Sequence, residues 1–158
     1  MRKQDKYINK LRIRWWVSAF VQILLFAAVF LPTVTLVGTQ SSAFSIDKVS
    51  QSAYWYFAGA GYPEIYDVIL IVYIVLSLPL LVYGFIKGLK RFPVMLAAVA
   101  TLICFGLNIL LTVFIYNLGV TGNFSASTTF TAWFWIYIAV GIAQIVHLFM
   151  LFGNMKKK

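Results

Sequence analysis

Three long stretches of this chain carry no Asp, Glu, Lys or Arg: between Arg14 and Asp47, between Asp67 and Lys87, and from Phe92 to Met155. Each is long enough for the roughly 20 apolar residues that cross a bilayer as a helix. In lipid, a helix satisfies each backbone N–H and C=O within its own segment, so a chain with this charge pattern folds as membrane-crossing helices. Composition agrees: 62% of the 158 residues are hydrophobic and 11% are charged, where soluble domains average about a quarter charged.

The last stretch is too long for one crossing. It is interrupted by NLGVTGNFSASTT at 117–129, where Gly, Asn, Ser and Thr cluster as in a loop. The expected fold is therefore an all-α integral membrane protein, a four-transmembrane-helix bundle forming a single membrane domain over 1–158. The spans are expected at about 15–37, 67–86, 93–117 and 129–152, with outer loops 38–66 and 118–128 and an inner loop 87–92. Residues 1–14 read as a basic amphipathic arm: Tyr7, Ile8, Leu11 and Trp15 fall on one helical stripe, and Lys3, Lys6, Lys10 and Arg14 on another.

Four spans place the basic residues of the arm, of KGLKR at 87–91 and of the final Lys156, Lys157 and Lys158 on one side. The positive-inside rule makes that side cytoplasmic, with both termini in and with Asp47, Glu64 and Asp67 outside. The net charge of +9 thus describes membrane orientation rather than nucleic-acid binding, because the cations lie at span ends. Lys6, Lys10, Arg14, Lys87, Lys90 and Arg91 are expected to attract anionic lipid headgroups, at about 1 kcal/mol each. The apolar run after the arm exceeds a secretory h-region and no A-x-A site follows it, so the first helix is expected to be retained. A lone Cys104 excludes an intramolecular disulfide. Lysine outnumbering arginine, many Ile and Phe, and short loops point to the cell membrane of a bacterium.

After Pro32, TVTLV alternates polar and apolar residues, as a short strand does. SIDKVSQSAYWYFAGAGYPE at 45–64 then reads as an amphipathic helix capped by Ser45, with Ile46, Val49, Ala53, Tyr54 and Phe57 at helical spacing and Gly59 and Gly61 ending it. The first outer loop is therefore expected to be structured. Tyr54, Trp55, Tyr56 and Phe57 are consecutive, and four neighbouring aromatics cannot all enter one core. They are expected to anchor among lipid headgroups or to form a partner-binding surface, and they are the candidate partner-binding residues. Trp15 and Trp16 are expected at the inner interface, and Trp133 and Trp135 at the outer one. NFS at 123–125 matches a glycosylation acceptor on the outer side.

The spans also carry polar residues. Counting from their ends, Gln22 and Gln144 lie level, with Ser18 and His147 one turn below, so the first and fourth spans can zip Ser18–Gln22 against His147–Gln144. Ala139 and Ala143 offer a small face for close approach. A second stripe, Thr101, Cys104, Asn108 and Thr112, runs along the third span toward Tyr73 and Ser77 of the second, with Tyr73 at about the depth of Asn108. Pro79 frees the carbonyl of Val75 in that helix. Such a seam either satisfies itself between packed helices or lines a cavity. His147 has no carboxylate partner within the spans, which favours helix glue over proton relay.

Absent features narrow the function. No acid lies within a span, as a proton-coupled drug exporter of the small four-helix type needs, and one cysteine cannot serve a thiol oxidase. The large first outer loop is shared with claudin-like proteins, but their W-GLW-C-C signature is missing, so the likeness is one of architecture. No phosphate-binding loop, metal-ligand cluster or nucleophile–base pair is present, and no enzymatic activity, metal or cofactor is expected. The expected function is that of a non-catalytic subunit, scaffold or immunity-type protein that binds another membrane protein or itself. The alternative is a small oligomeric channel or carrier using the seam around Asn108.

Overall fold

A computed structural model describes residues 3–39, 46–59, 61–62, 64–85, 90–121 and 128–155; within these, side chains are described for 7–36, 50, 52–58, 61–62, 64–85, 90–118 and 128–155. The elements run α1 (Lys3–Ala28), β1 (Val34–Thr39), β2 (Ile46–Gln51), α2 (Ala53–Gly59), α3 (Glu64–Phe85), α4 (Arg91–Thr121), β3 (Thr129–Phe130) and α5 (Ala132–Asn154). α1, α3, α4 and α5 are each long and apolar enough to cross a bilayer, so the chain is a mostly helical, multi-pass membrane protein.

The arm and first span are one continuous helix beginning at Lys3. It ends nine residues before the expected boundary of 37. Pro32 holds Leu31 out of helical geometry, and α1 tightens beforehand into i→i−3 turns, Val29 N to Phe26 O at 3.3 Å and Leu31 N to Ala28 O at 3.1 Å. The freed chain becomes β1.

A three-stranded antiparallel sheet, ordered β2-β1-β3, caps one end of the bundle and modifies the all-α expectation. β1 pairs with β2 from Val34↔Gln51 to Thr39↔Ile46, and with β3 through Val34↔Phe130 and Thr35↔Thr129. The expected helix from Ser45 is thereby corrected. Ile46 and Val49 lie in a strand, and the helix is the short α2 that follows, Ser52 accepting a hydrogen bond from Trp55 N at 3.3 Å as its cap. Ser45 itself lies outside the described residues. α2 closes on Gly61, whose φ of 84° only glycine adopts freely, with Tyr62 N bonded to Phe57 O and Gly61 N to Ala58 O.

At 31 residues, α4 is about 46 Å long, more than the roughly 30 Å hydrocarbon core requires. Its surplus stands beneath the sheet: Ile115 is buried with Val29, Ala53, Phe57 and Tyr66, and Tyr116 stacks on Phe130 at 4.3 Å. We call this end the head. At the other end, the tail, the first and last helices meet where the Tyr7 hydroxyl donates to Asn154 O at 2.8 Å. Phe85 packs edge-on against Trp16 there, and the Arg91 guanidinium lies 5.3 Å over the Phe152 ring.

The buried face of α5 is Phe134, Tyr137, Gly141, Gln144, Leu148 and Leu151, spaced three and four. Ala139 and Ala143 fall off that stripe and are exposed, so close approach is made by Gly141 instead, against the Phe105 ring of α4. Trp15 likewise departs from expectation. It is wholly buried in the tail-end core, its indole N–H donating to Leu80 O at 2.8 Å, whereas Trp16 is half-buried and Trp133 and Trp135 are exposed. Gly84 leaves room for both indoles, since an added Cβ would stand 3.1–3.2 Å from them.

Candidate functional site

The polar side chains within the membrane converge on Gln22. Its amide nitrogen donates to Ser77 Oγ of α3 and to Thr101 Oγ1 of α4, each at 2.9 Å, and its oxygen accepts from Gln144 Nε2 of α5 at 3.0 Å. The second proton of Gln144 goes to Ser18 O at 2.9 Å, and Thr101 turns its own hydroxyl to Ala97 O at 2.7 Å. Both protons of each buried amide are therefore used. Ser18 Oγ meets His147 Nδ1 at 3.2 Å, so the two turns expected to zip do meet, and the same hub also recruits α3 and α4. Gln22, Gln144, Ser18 and Thr101 are each at most 2% exposed. A buried amide in hydrocarbon is costly unless bonded, so these bonds fix how all four membrane-crossing helices align.

Nearer the head a second group forms around Asn108. Its side-chain oxygen accepts from the Tyr66 hydroxyl at 2.8 Å, and Tyr137 lines the same space. Tyr73, expected at this depth, instead donates to Gln22 O at 2.9 Å. The correction follows from where α3 begins. It starts at Glu64, which brings Tyr66 into the helix and level with Asn108 and moves Tyr73 two turns further in. Thr112 bonds back to Asn108 O at 2.8 Å, and Cys104 to Ile69 O at 3.4 Å. The space among Tyr66, Tyr73, Cys104, Asn108 and Tyr137 is about 10 Å³, no more than one water fills. A larger cleft of about 130 Å³ lies between α1 and α3, where Gln22, Tyr73 and Ser77 floor a recess walled by Ile23, Phe26 and Ile74.

In the head, the aromatic run divides. Phe57 is 8% exposed, in a cluster with Val29, Ala53, Tyr66 and Ile115, so it is core rather than partner surface. It stands one turn after Ala53, on the face of α2 that meets Tyr66 of α3 and Ile115 of α4. Tyr54 is half-buried, edge-on to Phe30 at 4.8 Å and to Tyr66 at 5.9 Å. Tyr56 is half-buried, and Trp55 is 56% exposed. Tyr62, just after α2, is 61% exposed; a residue inside a GAGYP turn gave no sequence signal of a surface role. Two buried hydroxyls of the head, on Thr33 and Thr128, have no partner among the described residues.

Of the expected headgroup cations, Lys10 and Lys90 are exposed, while Arg14 and Arg91 are half-buried at the tail end. Lys90 lies 5.7 Å over the Tyr83 ring. Lys87, the Lys6 side chain, Lys156 to Lys158 and the NFS triplet lie outside the described residues. Among the described residues no three His, Cys, Asp or Glu side chains gather as a metal site would require. The sequence matches no family model, and no curated protein matches it.

Proposed function

We propose that this is a non-catalytic membrane protein that binds another membrane protein through its head. The observation that carries the reading is α2: a helix clamped at both ends, by the Ser52 cap and the Gly61 turn, that turns Trp55 outward while Tyr54 and Phe57 anchor it. A rigid aromatic on a fixed element loses little entropy on binding, which is how interface anchors gain affinity. The polar interior supports this over a channel or carrier, because the groups around Gln22 and Asn108 are spent on one another. We place the tail end in the cytoplasm and the head outside, in the cell membrane of a bacterium, on the distribution of Lys and Arg.

The test is copurification from native membranes in mild detergent, comparing the wild type with Trp55→Ser/Tyr56→Ser. These positions leave the Tyr54–Phe57 anchor intact, so the variant is expected to fold. A stoichiometric membrane protein lost with the variant supports the reading; identical pull-downs overturn it. Orientation is read separately with single cysteines in a Cys104→Ser background. Ser50→Cys is expected to react with an impermeant maleimide on intact cells and Lys90→Cys only after lysis.

A further inference from the structure

We infer that the tail-end pocket between α1 and α5 binds a phosphate group at the membrane surface, independently of the partner surface on the head. The pocket is a cavity of about 280 Å³ lined by Tyr7, Lys10, Leu11, Arg14 and Asn154. At roughly 30 Å³ per water-sized volume it has room for a phosphate with an attached glycerol. Residues 7, 10, 11 and 14 share one face of α1, the face turned to the last turn of α5. The Tyr7–Asn154 bond closes one wall and the buried Leu11 forms the floor.

Two cations thus stand in a built recess rather than on an open helix face. Among the described residues no carboxylate pairs with either of them. The acids with described side chains, Glu64 and Asp67, stand in the first turn of α3, at the opposite end of the bundle. A guanidinium held half-buried beside an ammonium, with no carboxylate partner among the described residues, is the donor set for an oxyanion bonded at two oxygens: Arg offers a planar fork that bonds two phosphate oxygens, and Lys a mobile point charge. Val17 on α1 and Met150 on α5, one turn further into the membrane, are 48% and 57% exposed, so acyl chains attached to that phosphate would find apolar surface. The phosphate can come from an anionic phospholipid or from solution, and the two sources are separable.

The experiment is a titration of the full-length protein in nonionic detergent with phosphatidylglycerol or phosphatidylcholine, read as bound lipid by native mass spectrometry. Wild type is expected to retain phosphatidylglycerol preferentially. Lys10→Gln/Arg14→Gln is expected to weaken retention roughly 30-fold, from two surface cations each acting on the lipid charge. Arg12→Gln/Lys90→Gln removes the same charge outside the pocket and is expected to change retention less than about threefold. Arg14→Lys keeps the charge but loses the fork, so it also weakens retention at a site and leaves a diffuse field unaltered. It keeps the test intact should the double variant fail to fold. Equal losses from both double variants, or no lipid preference in wild type, overturn the inference. Inorganic phosphate that displaces the lipid supports the pocket with a soluble anion as its ligand; lipid that resists excess phosphate supports the headgroup.

Discussion

Replacing Gln22 with Leu tests whether the buried amide hub holds the bundle together. The substitution nearly preserves volume, so its cost falls on hydrogen bonds. It deletes the bonds to Ser77 and Thr101 and the bond accepted from Gln144, linking α1 to three other helices. Interhelical side-chain bonds in membranes contribute about 0.6–1.7 kcal/mol each, so the loss is expected to be about 2–5 kcal/mol. The upper part of the range applies because Gln144 keeps a proton with no acceptor in a site 2% exposed. The assay is reversible unfolding in mixed micelles of increasing denaturing detergent, with Gln144→Leu and the double variant completing a cycle. The double variant is expected to recover part of the loss, since it removes the stranded donor, leaving a coupling of about 1–2 kcal/mol. A Gln22→Leu variant as stable as the wild type, or a cycle with no coupling, would refute the assignment of the hub as structural.

Other substitutions probe separate contacts. Gly141→Ala drives a methyl into the buried Phe105 ring and is expected to destabilise by about 1–3 kcal/mol, with Phe105→Leu restoring much of the loss in the same assay. Trp15→Phe removes the indole bond to Leu80 O in a fully buried site, for an expected loss of about 1–3 kcal/mol and a blue-region fluorescence band missing from the spectrum. Asn108→Leu is expected to lower stability while leaving ion flux into liposomes at the lipid-only baseline; flux that the wild type conducts and the variant alters would restore the channel reading.

The four crossings were legible because charge is excluded from hydrocarbon on every face of a helix, leaving gaps that no packing detail can mask. The Ser18–Gln22 and His147–Gln144 match was legible too, since helical rise converts residue number to depth. What could not be read was partnership across the bundle. Gln22 reaches Ser77 and Thr101 because α3 and α4 pack beside it, which spacing within α1 does not encode. Tyr66 was missed because it lies where a loop was expected, and the helix start three residues earlier decides which tyrosine meets Asn108. β2 was misread since Ile46, Val49 and Ala53 fit a helical period as well as the end of a strand, and only pairing with β1 separates the two. β3, two residues long, has no local signature.

The sheet has a mechanical consequence. β1 follows α1 after the short turn at 29–33, and β3 is joined to α5 through Thr131 alone, whose N–H and hydroxyl bond Thr33 O and Pro32 O. The strands therefore act as a drawstring across the mouth of the bundle, and α1 and α5 cannot part there without unzipping it. At the tail the same two helices are held differently, by apolar packing of Leu11, Trp15 and Ala19 against Leu148 and Leu151 together with the Tyr7–Asn154 bond.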